Sequence, residues 1–432
     1  MNTVASRPTT GASSHSRVSV YPLDVSPAAP ARRAAVAFIL ITILLDVIAL
    51  GIVIPVFPTL ITSFLGGNTP RAAQIYGLFG AAWALMQFLF SPAVGALSDR
   101  IGRRPVVLMS NLGLGIDYIL MAMAPTVWWL FVGRIISGIT AASISAGSAY
   151  IADVTPPERR AAAFGYIGAA FGLGFVLGPA LGGVLGSIDP HLPFWVAGIL
   201  SLVNFAYGFF VLPESLPKDR RRPFVWSRAN PVGSLKLLRS HRELFGLASV
   251  HFLHSLAHNA LPSVFVLYTT YRYGWNARTV GLTLAGFGVA TVLVQSTLVK
   301  RVVAALGERR TMLLGLLCAV IFFTIYGLAP TGEIFWFGTA IAALWGFYGP
   351  ASQGLMTQRV TATEQGQLQG AIASIQGITG LIGPVLFTAT FAYAISPERE
   401  LHAPGTPMLL AGLICAAAAL LAWRVTRPTT AP

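Results

Sequence analysis

Twelve apolar runs, each long enough to cross a bilayer as a helix, constrain the fold of this chain more than any other feature. One crossing needs about 20 apolar residues. The runs, called spans 1 to 12 below, cover residues 36–60, 74–97, 106–124, 128–150, 161–186, 194–212, 244–269, 280–299, 311–329, 334–356, 366–394 and 407–423. Only 10% of the residues are charged, against about 25% in soluble domains. The sequence therefore predicts an all-α integral membrane protein with twelve transmembrane helices.

The positive charge of the chain is distributed unevenly among the connections between spans. The formal net charge of +14 taken alone would also suit a nucleic-acid-binding protein. When alternate connections are placed on alternate sides of the membrane, 24 of the 29 Lys and Arg residues fall on the side of both chain ends. The other side receives Arg71, Arg272, Arg278 and Arg399. This bias predicts cytoplasmic termini, a plasma (bacterial inner) membrane location and no nucleic-acid partner.

Polar segments divide the chain into two halves. Residues 1–33 are rich in Ser, Pro, Thr and Ala and are predicted to form a disordered cytoplasmic tail. The polar stretch 213–243 separates the first six spans from the last six and is predicted to be a cytoplasmic linker. The expected units are thus a six-helix bundle over 34–212, a second over 244–425, and a short tail over 426–432.

The two halves are predicted to be repeats of each other. A shift of 205 residues superposes Gly102 on Gly307 and Gly178-Pro179 on Gly383-Pro384. Paired repeats around a central site are typical of secondary transporters, in which one half moves against the other. The charged residues of the first half do not recur, since the same shift places Asp99 on Ala304, Arg134 on Thr339 and Asp153 on Gln358.

A polar turn joins spans 2 and 3, with the sequence Gly95-Ala-Leu-Ser-Asp99-Arg100-Ile-Gly102-Arg103-Arg104. Asp99 and Arg103 are four residues apart, and Asp153 ends span 4 at the same membrane face. We expect these three side chains to form an ion network that holds one conformational state, because breaking such a network biases a two-state equilibrium. The alternative is a solvated basic turn that only fixes topology.

Span 5 carries a row of small residues with a proline. The residues are Gly174, Gly178, Pro179, Gly182 and Gly183. Glycines four residues apart form a smooth helical face that permits close helix approach, and a proline at membrane depth permits a bend. The pattern predicts an interface that slides during transport, with static packing as the alternative.

Three ionisable residues lie at membrane depth. Asp46 in span 1 and Asp117 in span 3 are each near the middle of a span, and Arg134 enters span 4. Such residues are costly in lipid and usually face a cavity. Because a low-dielectric environment disfavours a charged carboxylate, each aspartate is a candidate proton carrier, and Arg134 a partner for a carboxylate or for an anionic substrate group. A structural role, bonded to helix ends, is the alternative for each aspartate.

These motifs resemble those of a known family. The polar turn looks like the signature loop of the major facilitator superfamily, and the span 5 pattern is similar to its antiporter motif. Three segments resemble the bacterial tetracycline/proton antiporters: Leu45-Asp46-x-x-x-x-Gly51-x-x-x-Pro55, Gly133-Arg134-x-x-x-Gly138-Ile-Thr and Gln365-Gly-Gln-Leu-Gln-Gly370. The resemblance extends over residues 34 to 425. It implies the major facilitator fold, with two six-helix halves around a central cavity, and matches Asp46 and Asp117 to membrane-embedded acids of those antiporters.

The chain also departs from that pattern. The tetracycline antiporters carry an acid in span 9, implicated in substrate binding and proton coupling, where this chain has Ala319, and a histidine in span 8, where it has Thr291. Span 7 instead carries a stripe of three histidines on one helical face, His251, His254 and His258. Histidine titrates near neutral pH, so the stripe is a candidate source of protons or substrate contacts. Neutral histidines bonded between helices are the alternative.

Gln295 in span 8 is a further polar candidate, either lining the cavity or joining two helices. Cys318 and Cys415 both lie in apolar spans and predict neither a disulfide framework nor a metal site. No cofactor is predicted. No nucleotide-binding loop, metal-ligand cluster or nucleophile constellation stands out, which argues against a membrane enzyme.

The function expected from these features is proton-coupled export of a hydrophobic or amphipathic small molecule by a monomer. A proton-coupled uptake carrier or facilitator on the same fold is the first alternative, against which the span 5 motif argues. An integral membrane enzyme is the second.

Overall fold

The computed structural model describes residues 29–141, 143–156, 159–221, 242–361, 364–398 and 402–427. Throughout these ranges the secondary structure is helical and contains no strand. Residues 1–28 of the predicted tail (1–33), residues 222–241 of the predicted linker (213–243) and residues 428–432 lie outside the described residues.

The first half consists of helices that correspond to spans 1 to 6. They are α1 (Ala29–Val53), α2 (Phe57–Phe64), α3 (Thr69–Ile101), α4 (Arg103–Ala122), α5 (Val127–Thr140), α6 (Ser143–Val154), α7 (Arg160–Gly186) and α8 (Leu192–Val211). Helix α1 begins before the predicted bundle boundary at residue 34, and Pro30 lies in its first turn, where a proline is tolerated.

The second half contains spans 7 to 12. Its helices are α9 (Arg242–His258), α10 (Ala260–Tyr273), α11 (Ala277–Leu293), α12 (Val299–Leu328), α13 (Gly332–Leu344), α14 (Tyr348–Thr357), α15 (Gln365–Ala394) and α16 (Thr406–Val425). A π-helical turn, Val294–Leu298, joins α11 to α12, and a 3-10 turn, Trp345–Phe347, joins α13 to α14.

These helices form twelve spans. In the described part of the chain, ten helical stretches are long and apolar enough to cross a membrane, and one of them, Ala277–Leu328, has 52 residues. The long stretch contains two passes because Gly307 interrupts it with non-helical angles (φ 76°, ψ 164°). The pair α9–α10, which contains the three histidines, supplies the twelfth span. The predicted twelve-helix architecture is therefore confirmed.

Four spans are interrupted near their middle, a feature that the hydropathy pattern did not predict. Span 1 breaks between Val53 and Phe57, span 4 between α5 and α6, span 7 at Asn259, and span 10 at the 3-10 turn. The shift of 205 residues superposes the breaks of spans 1 and 4 on those of spans 7 and 10. Irregular backbone at membrane depth is tolerated where it is buried in protein or lines a cavity.

The two halves contact each other along two seams, α3 against α15 and α7 against α11. Close approach is possible because glycines lie at both seams: a Cβ on Gly80 would meet Pro384 at 2.9 Å, and one on Gly183 would meet the Cα of Gly281 at 2.9 Å. We call the face with the turn at Gly102 the terminal face, because α1 begins and α16 ends there; the α2–α3 connection lies on the opposite face.

Contacts between the halves are concentrated toward the opposite face. There, the hydroxyl of Tyr76 in α3 donates to the carbonyl of Pro262 in α10 at 3.1 Å. The described contacts between the seam helices, such as Gly80 with Pro384 and Gly183 with Gly281, likewise lie toward that face.

Candidate functional site

Asp46 lies in a polar cluster that joins three helices of the first half. The Asp46 residue is 7% exposed, while Asn111 in α4 and Asn204 in α8 are fully buried. Asn204 Nδ2 donates to Asp46 Oδ1 at 2.9 Å and to the carbonyl of Thr42 at 2.9 Å. With its amide nitrogen facing Asp46, Asn111 donates to both carboxylate oxygens at 3.1 Å. Three hydrogen bonds from two neutral amides stabilise a carboxylate in place and connect α1, α4 and α8.

Asp117 has very different surroundings. It is fully buried, and neither of its carboxylate oxygens accepts a hydrogen bond from the described part of the chain. The carboxylate lies against Gly133, where an added Cβ would be 2.7 Å from Oδ1. An unpaired carboxylate at this depth is costly, so the group is suited to take up a proton and to release it when its surroundings change.

Arg134 lies near Asp117 without forming an ion pair to it in the described residues. Its guanidinium carbon lies 5.4 Å from the centre of the Phe57 ring and 5.3 Å from that of Trp83. Such cation–π contacts stabilise a buried cation by about 0.5–2 kcal/mol, and they leave the positive charge available to a nearby anion. The carboxyl of Asp117 and an anionic group of a substrate are the two candidates for that anion.

The polar turn between α3 and α4 forms the expected ion network. Arg103 contacts Asp99 at 2.6 Å through Nη2 and Asp153 at 3.2 Å through Nε, and its Nη1 donates to Ser98 Oγ at 2.7 Å. The side chain of Arg103 is 13% exposed, that of Asp153 26% and that of Asp99 45%. The network thus joins α3, α4 and α6 at the terminal face. Its role in gating remains a prediction.

The other residues of the turn have separate roles. Gly102 adopts φ 115°, a conformation that favours glycine. Arg104 donates to the carbonyl of Phe209 in α8, whereas Arg100 is exposed and makes no ion pair in the described residues. Gly95 is not in contact with another helix.

Glu214, the third residue after α8, completes the network from the linker side. Its Oε1 accepts from the backbone N–H of Arg103 at 2.9 Å, at the start of α4, and Ser215 Oγ donates to Asp153 Oδ2 at 3.3 Å. An anion at a helix N-terminus is favourable, because the first backbone N–H groups lack partners. The first linker residues are therefore bonded to the polar turn.

The small residues of span 5 (α7) allow close approach to two neighbouring helices, α1 and α11. An added Cβ on Gly174 or Gly178 would meet Val47 or Gly51 of α1 at 2.6 Å, and Gly182 lies against the carbonyl of Ile52. These three glycines face α1 in the same half. Gly183 contacts α11 of the other half through Gly281, and Pro179 contacts both Gly281 and Gly51 of α1. A larger residue at any of these places would separate the helices.

The histidine stripe of α9 packs against the break in span 10. The His254 ring stacks on Tyr348 with centroids 3.6 Å apart and lies 5.1 Å from Trp345. His258 is also 5.1 Å from Trp345. His251 is within 3.4 Å of the Tyr348 hydroxyl and of Ser255 Oγ. His251 is thus bonded between helices, whereas His258 is exposed.

Gln295 lies in the π-helical turn of span 8 and is exposed. A Cβ on Gly346, in the 3-10 turn of span 10, would lie 3.7 Å from its Nε2. The two irregular turns thus face each other. Single π-helical turns inside longer helices often mark functional positions.

A cavity of about 510 Å³ lies between α3 and α15 and connects the two halves. Trp83, which contacts Arg134, lines it from the first half, and Asn259, which follows His258, lines it from the second. Amide and hydroxyl side chains contribute the remaining polar lining: Gln87, Ser91, Ser374 and Gln376. The volume falls within the roughly 300–1,000 Å³ of small-molecule sites.

Sequence reasoning missed several residues of this region. Asn111, Asn204, Trp345 and Tyr348 were not singled out, although an Asn inside an apolar run is a detectable signal. Trp345 and Tyr348 carry no such signal, since aromatic residues are common in any membrane helix. Ala319 and Thr291 are the two positions where this chain lacks the acid and the histidine of the tetracycline antiporters. Ala319 is fully buried in the core of the second half. The hydroxyl of Thr291 is buried and has no hydrogen-bond partner in the described residues.

Fold and site together define a multi-span membrane transporter built from two repeated halves, with ionisable groups at membrane depth. A family model for the Major Facilitator Superfamily matches residues 39–384 and 247–432. The chain belongs to the major facilitator superfamily, and within it to the group of the bacterial tetracycline-resistance proteins. It is 38% identical over 362 residues to the tetracycline resistance protein, class C, of Escherichia coli, covering 84% of this chain and 91% of that protein.

A second relative agrees with this assignment, and a solved structure agrees with the fold. The class B tetracycline resistance protein of Escherichia coli is 35% identical over 361 residues, covering 82% of this chain and 88% of that protein. Among solved structures, a bacterial homologue of the human lysosomal transporter Spinster, in an inward-facing and unoccupied conformation, has a TM-score of 0.75 at 15% identity, covering 94% of this chain and all of that one. The predicted fold and family are confirmed.

Proposed function

We propose that the protein exports a hydrophobic or amphipathic drug-like small molecule from the cytoplasm in exchange for protons. The observation that carries the proposal is the buried carboxyl of Asp117, which has no hydrogen-bond partner in the described residues and lies near Arg134, whose neighbour Trp83 lines a cavity between the halves. A carboxyl that gains a proton from one side and loses it to the other supplies the coupling that a proton-driven antiporter needs. The kinship to tetracycline-resistance proteins supports efflux as the direction.

Asp117 is the proposed proton carrier, and Arg134 the group that senses its charge. When the carboxyl is ionised, the guanidinium is attracted to it; when the carboxyl is neutral, that attraction is lost. A substrate that binds beside the ionised carboxylate excludes the proton, and the proton excludes the substrate, as an antiporter needs. Asp46, held by two asparagine amides, has the proposed role of joining α1, α4 and α8 and of supplying a second, better-stabilised acid.

The ion network around Arg103 has the proposed role of a gate at the terminal face. It joins α3, α4 and α6, so it stabilises the first half as a rigid body. The span 5 residues pack against both α1 and α11 and have the proposed role of the sliding contact. With both termini cytoplasmic and the described contacts between the halves toward the opposite face, the proposed state is inward-open, in a monomer of the bacterial inner membrane.

An uptake carrier or facilitator on the same fold is the alternative function. The two functions are distinguished by measuring whether energised vesicles of known orientation take up the substrate in the direction of import or of export. An enzymatic function has no support from the family, and substrate turnover by purified protein without a gradient would revive it.

The proposal is tested by adding a panel of tetracyclines, other antibiotics and dyes to energised inverted vesicles while the internal pH is followed. Export coupled to protons makes at least one compound cause proton release, and Asp117→Asn abolishes that release. The matched control is Asp189→Asn, because Asp189 is an exposed loop acid that accepts from the backbone of His191. No response to any compound in the wild type contradicts the proposal.

A further inference from the structure

The terminal face of the second half carries an excess of positive charge. From residue 242 onward, its basic residues are Arg242, Lys300, Arg301, Arg309, Arg310, Arg359, Arg424 and Arg427, and its acidic residues are Glu243, Glu308 and Glu364. Two of these acids, Glu308 and Glu364, already accept hydrogen bonds from neighbouring side chains. A bias of basic residues toward one membrane face sets the topology, but topology depends on their number and requires no particular arrangement of the side chains.

Two arginines of this face are held in place where α12 and α16 meet. Arg309, near the start of the second pass of α12, donates from Nε to Thr426 Oγ1 at 3.1 Å, directly after α16. The guanidinium carbon of Arg427 lies 3.4 Å from the centre of the Trp423 ring. A bond through Nε or a contact with a ring leaves the other guanidinium N–H groups available. These N–H groups form the planar fork that binds phosphate oxygens in pairs.

The arginines lie at the ends of exposed apolar stripes. On α16, Leu413, Leu420 and Arg427 recur at intervals of seven residues, and on α12 Arg310 and Leu317 do so. Residues seven apart lie on one face of a helix. The three leucines are 53% to 67% exposed, and α12 and α16 pack against each other. The surface is thus apolar along both helices and basic where they reach the terminal face. We call Arg309, Arg310, Arg424 and Arg427 the arginine cluster.

The arginine cluster forms no ion pair with a carboxylate in the described residues. The shift of 205 residues places Arg104 on Arg309, and each bonds to the last span of its half: Arg104 to the carbonyl of Phe209, and Arg309 to the residue after α16. In the first half, Glu214 follows that span and supplies an anion at the polar turn. Residues 401–432 contain no acidic residue, so the last span of the second half is not followed by an equivalent of Glu214.

We infer that the arginine cluster binds the phosphate of an anionic phospholipid in the leaflet at the terminal face. The phosphate oxygens accept from guanidinium N–H groups of Arg310 and Arg427, and the acyl chains lie along the exposed leucines of α12 and α16. Basic pockets between transmembrane helices bind anionic lipid headgroups in this way. The lipid supplies the anion that Glu214 supplies in the first half. The inference requires only that the chain is embedded in a membrane, so it is independent of the proposed substrate and of proton coupling.

The test measures lipid binding to the detergent-purified full-length protein by native mass spectrometry. The probes are dioleoyl phosphatidylglycerol, whose headgroup is anionic, and dioleoyl phosphatidylcholine, which has the same phosphate and acyl chains but no net charge. The wild type is expected to bind phosphatidylglycerol in preference to phosphatidylcholine. The double variant Arg310→Gln, Arg427→Gln is expected to weaken phosphatidylglycerol binding about 30-fold, because two basic residues near the membrane surface are removed.

The matched control is Lys300→Gln, Arg301→Gln, which removes the same number of charges from the same membrane face. All four substituted residues are exposed, so both double variants should keep the wild-type melting temperature when no lipid is added. The control is expected to bind phosphatidylglycerol nearly as well as the wild type, and excess inorganic phosphate is expected to leave the bound lipid in place.

Four results would each overturn the inference. They are equal weakening in the control, equal binding of the two lipids by the wild type, unchanged affinity in Arg310→Gln, Arg427→Gln, and displacement of the lipid by inorganic phosphate. The last result would assign the arginine cluster to free phosphate rather than to a lipid headgroup.

Discussion

The turn between α3 and α4 and its repeat inside α12 have the same backbone and different chemistry. Gly102 and Gly307 both have positive φ (115° and 76°) and similar ψ (159° and 164°). In the first half Arg103 joins Asp99 and Asp153. The equivalent pair in the second half is Glu308 and Gln358, where Gln358 Nε2 donates to Glu308 Oε2 at 2.8 Å. A glycine forms the turn in both halves, and the ion pairs between charged side chains are present only in the first half among the described residues.

The same difference extends into the membrane. The first half contains Asp46, Asp117 and Arg134, and the second half has only histidines and amides at comparable depth. Two repeats that need the same turn need not share charges, because the fold depends on packing and backbone conformation. The comparison supports the proposal of a division of labour in which proton handling belongs to the first half.

The largest effect is expected from Asp117→Asn. An amide cannot carry a proton, so drug-dependent proton release from inverted vesicles should disappear. Because the carboxyl has no hydrogen-bond partner in the described residues, the variant should fold and keep or raise its melting temperature. A variant that unfolds would show that the carboxyl is structural.

Asp46→Asn is expected to lower the melting temperature, since it weakens the bonds of Asn111 and Asn204.

Arg103→Gln and Glu308→Gln compare the two turns directly. Removing Arg103 breaks two ion pairs that are partly exposed, which should change the balance between conformations by ~2 kcal/mol, or about 30-fold. Glu308→Gln keeps a neutral hydrogen-bonding partner for Gln358, so it should change the balance between conformations only slightly. The measurement is the thiol-labelling rate of an introduced Gly366→Cys at the terminal face, since Cys318 and Cys415 are buried. Equal effects of the two variants would contradict the comparison.

Gly102→Ala and Gly307→Ala distinguish two costs of adding a side chain at these turns. One is the positive φ that both glycines share, and the other is contact with neighbouring atoms. Both place a side chain at positive φ, which costs about 1–3 kcal/mol. Only Gly102 also faces a neighbour, because its added Cβ would overlap the carboxylate of Glu214, whereas Gly307 has open space. Thermal unfolding should show Gly102→Ala to be the less stable variant. The reverse order would mean that the Glu214 contact contributes nothing.

The smallest effect is expected from Gln358→Asp. This change places two carboxylates within hydrogen-bond distance at an exposed site, so the penalty should be below about 1 kcal/mol. The double variant Glu308→Arg, Gln358→Asp rebuilds an ion pair of the first-half type and should restore the melting temperature. If the double variant is no more stable than Gln358→Asp alone, the turns at Gly102 and Gly307 differ in the geometry of their side chains.

Much of the fold was predictable from the sequence because the bilayer imposes a length on each span. The twelve spans, the turn at Gly102 and its repeat at Gly307 all follow from apolar length and from glycines at fixed separation. The breaks of spans 7 and 10 were not predictable, since Asn259 and Trp345 interrupt the helices without interrupting the apolar pattern.

The site was predictable where charge marks it. Asp46, Asp117 and Arg134 stand out in apolar spans, but their different surroundings do not, because Asn111 and Asn204 come from distant spans. The sequence likewise suggested the Arg103 network through the spacing of Asp99 and Arg103, yet gave no indication that Glu214 of the linker would contact it. Long-range partners of this kind depend on tertiary packing.

The most direct test of the division of labour is substrate exchange by Asp117→Asn reconstituted into vesicles without a pH gradient. Exchange needs substrate binding and alternation of the two conformations, but no proton transfer. The account predicts exchange at a rate close to that of the wild type, together with complete loss of proton-driven accumulation. Loss of exchange along with accumulation, or accumulation that persists, would contradict it.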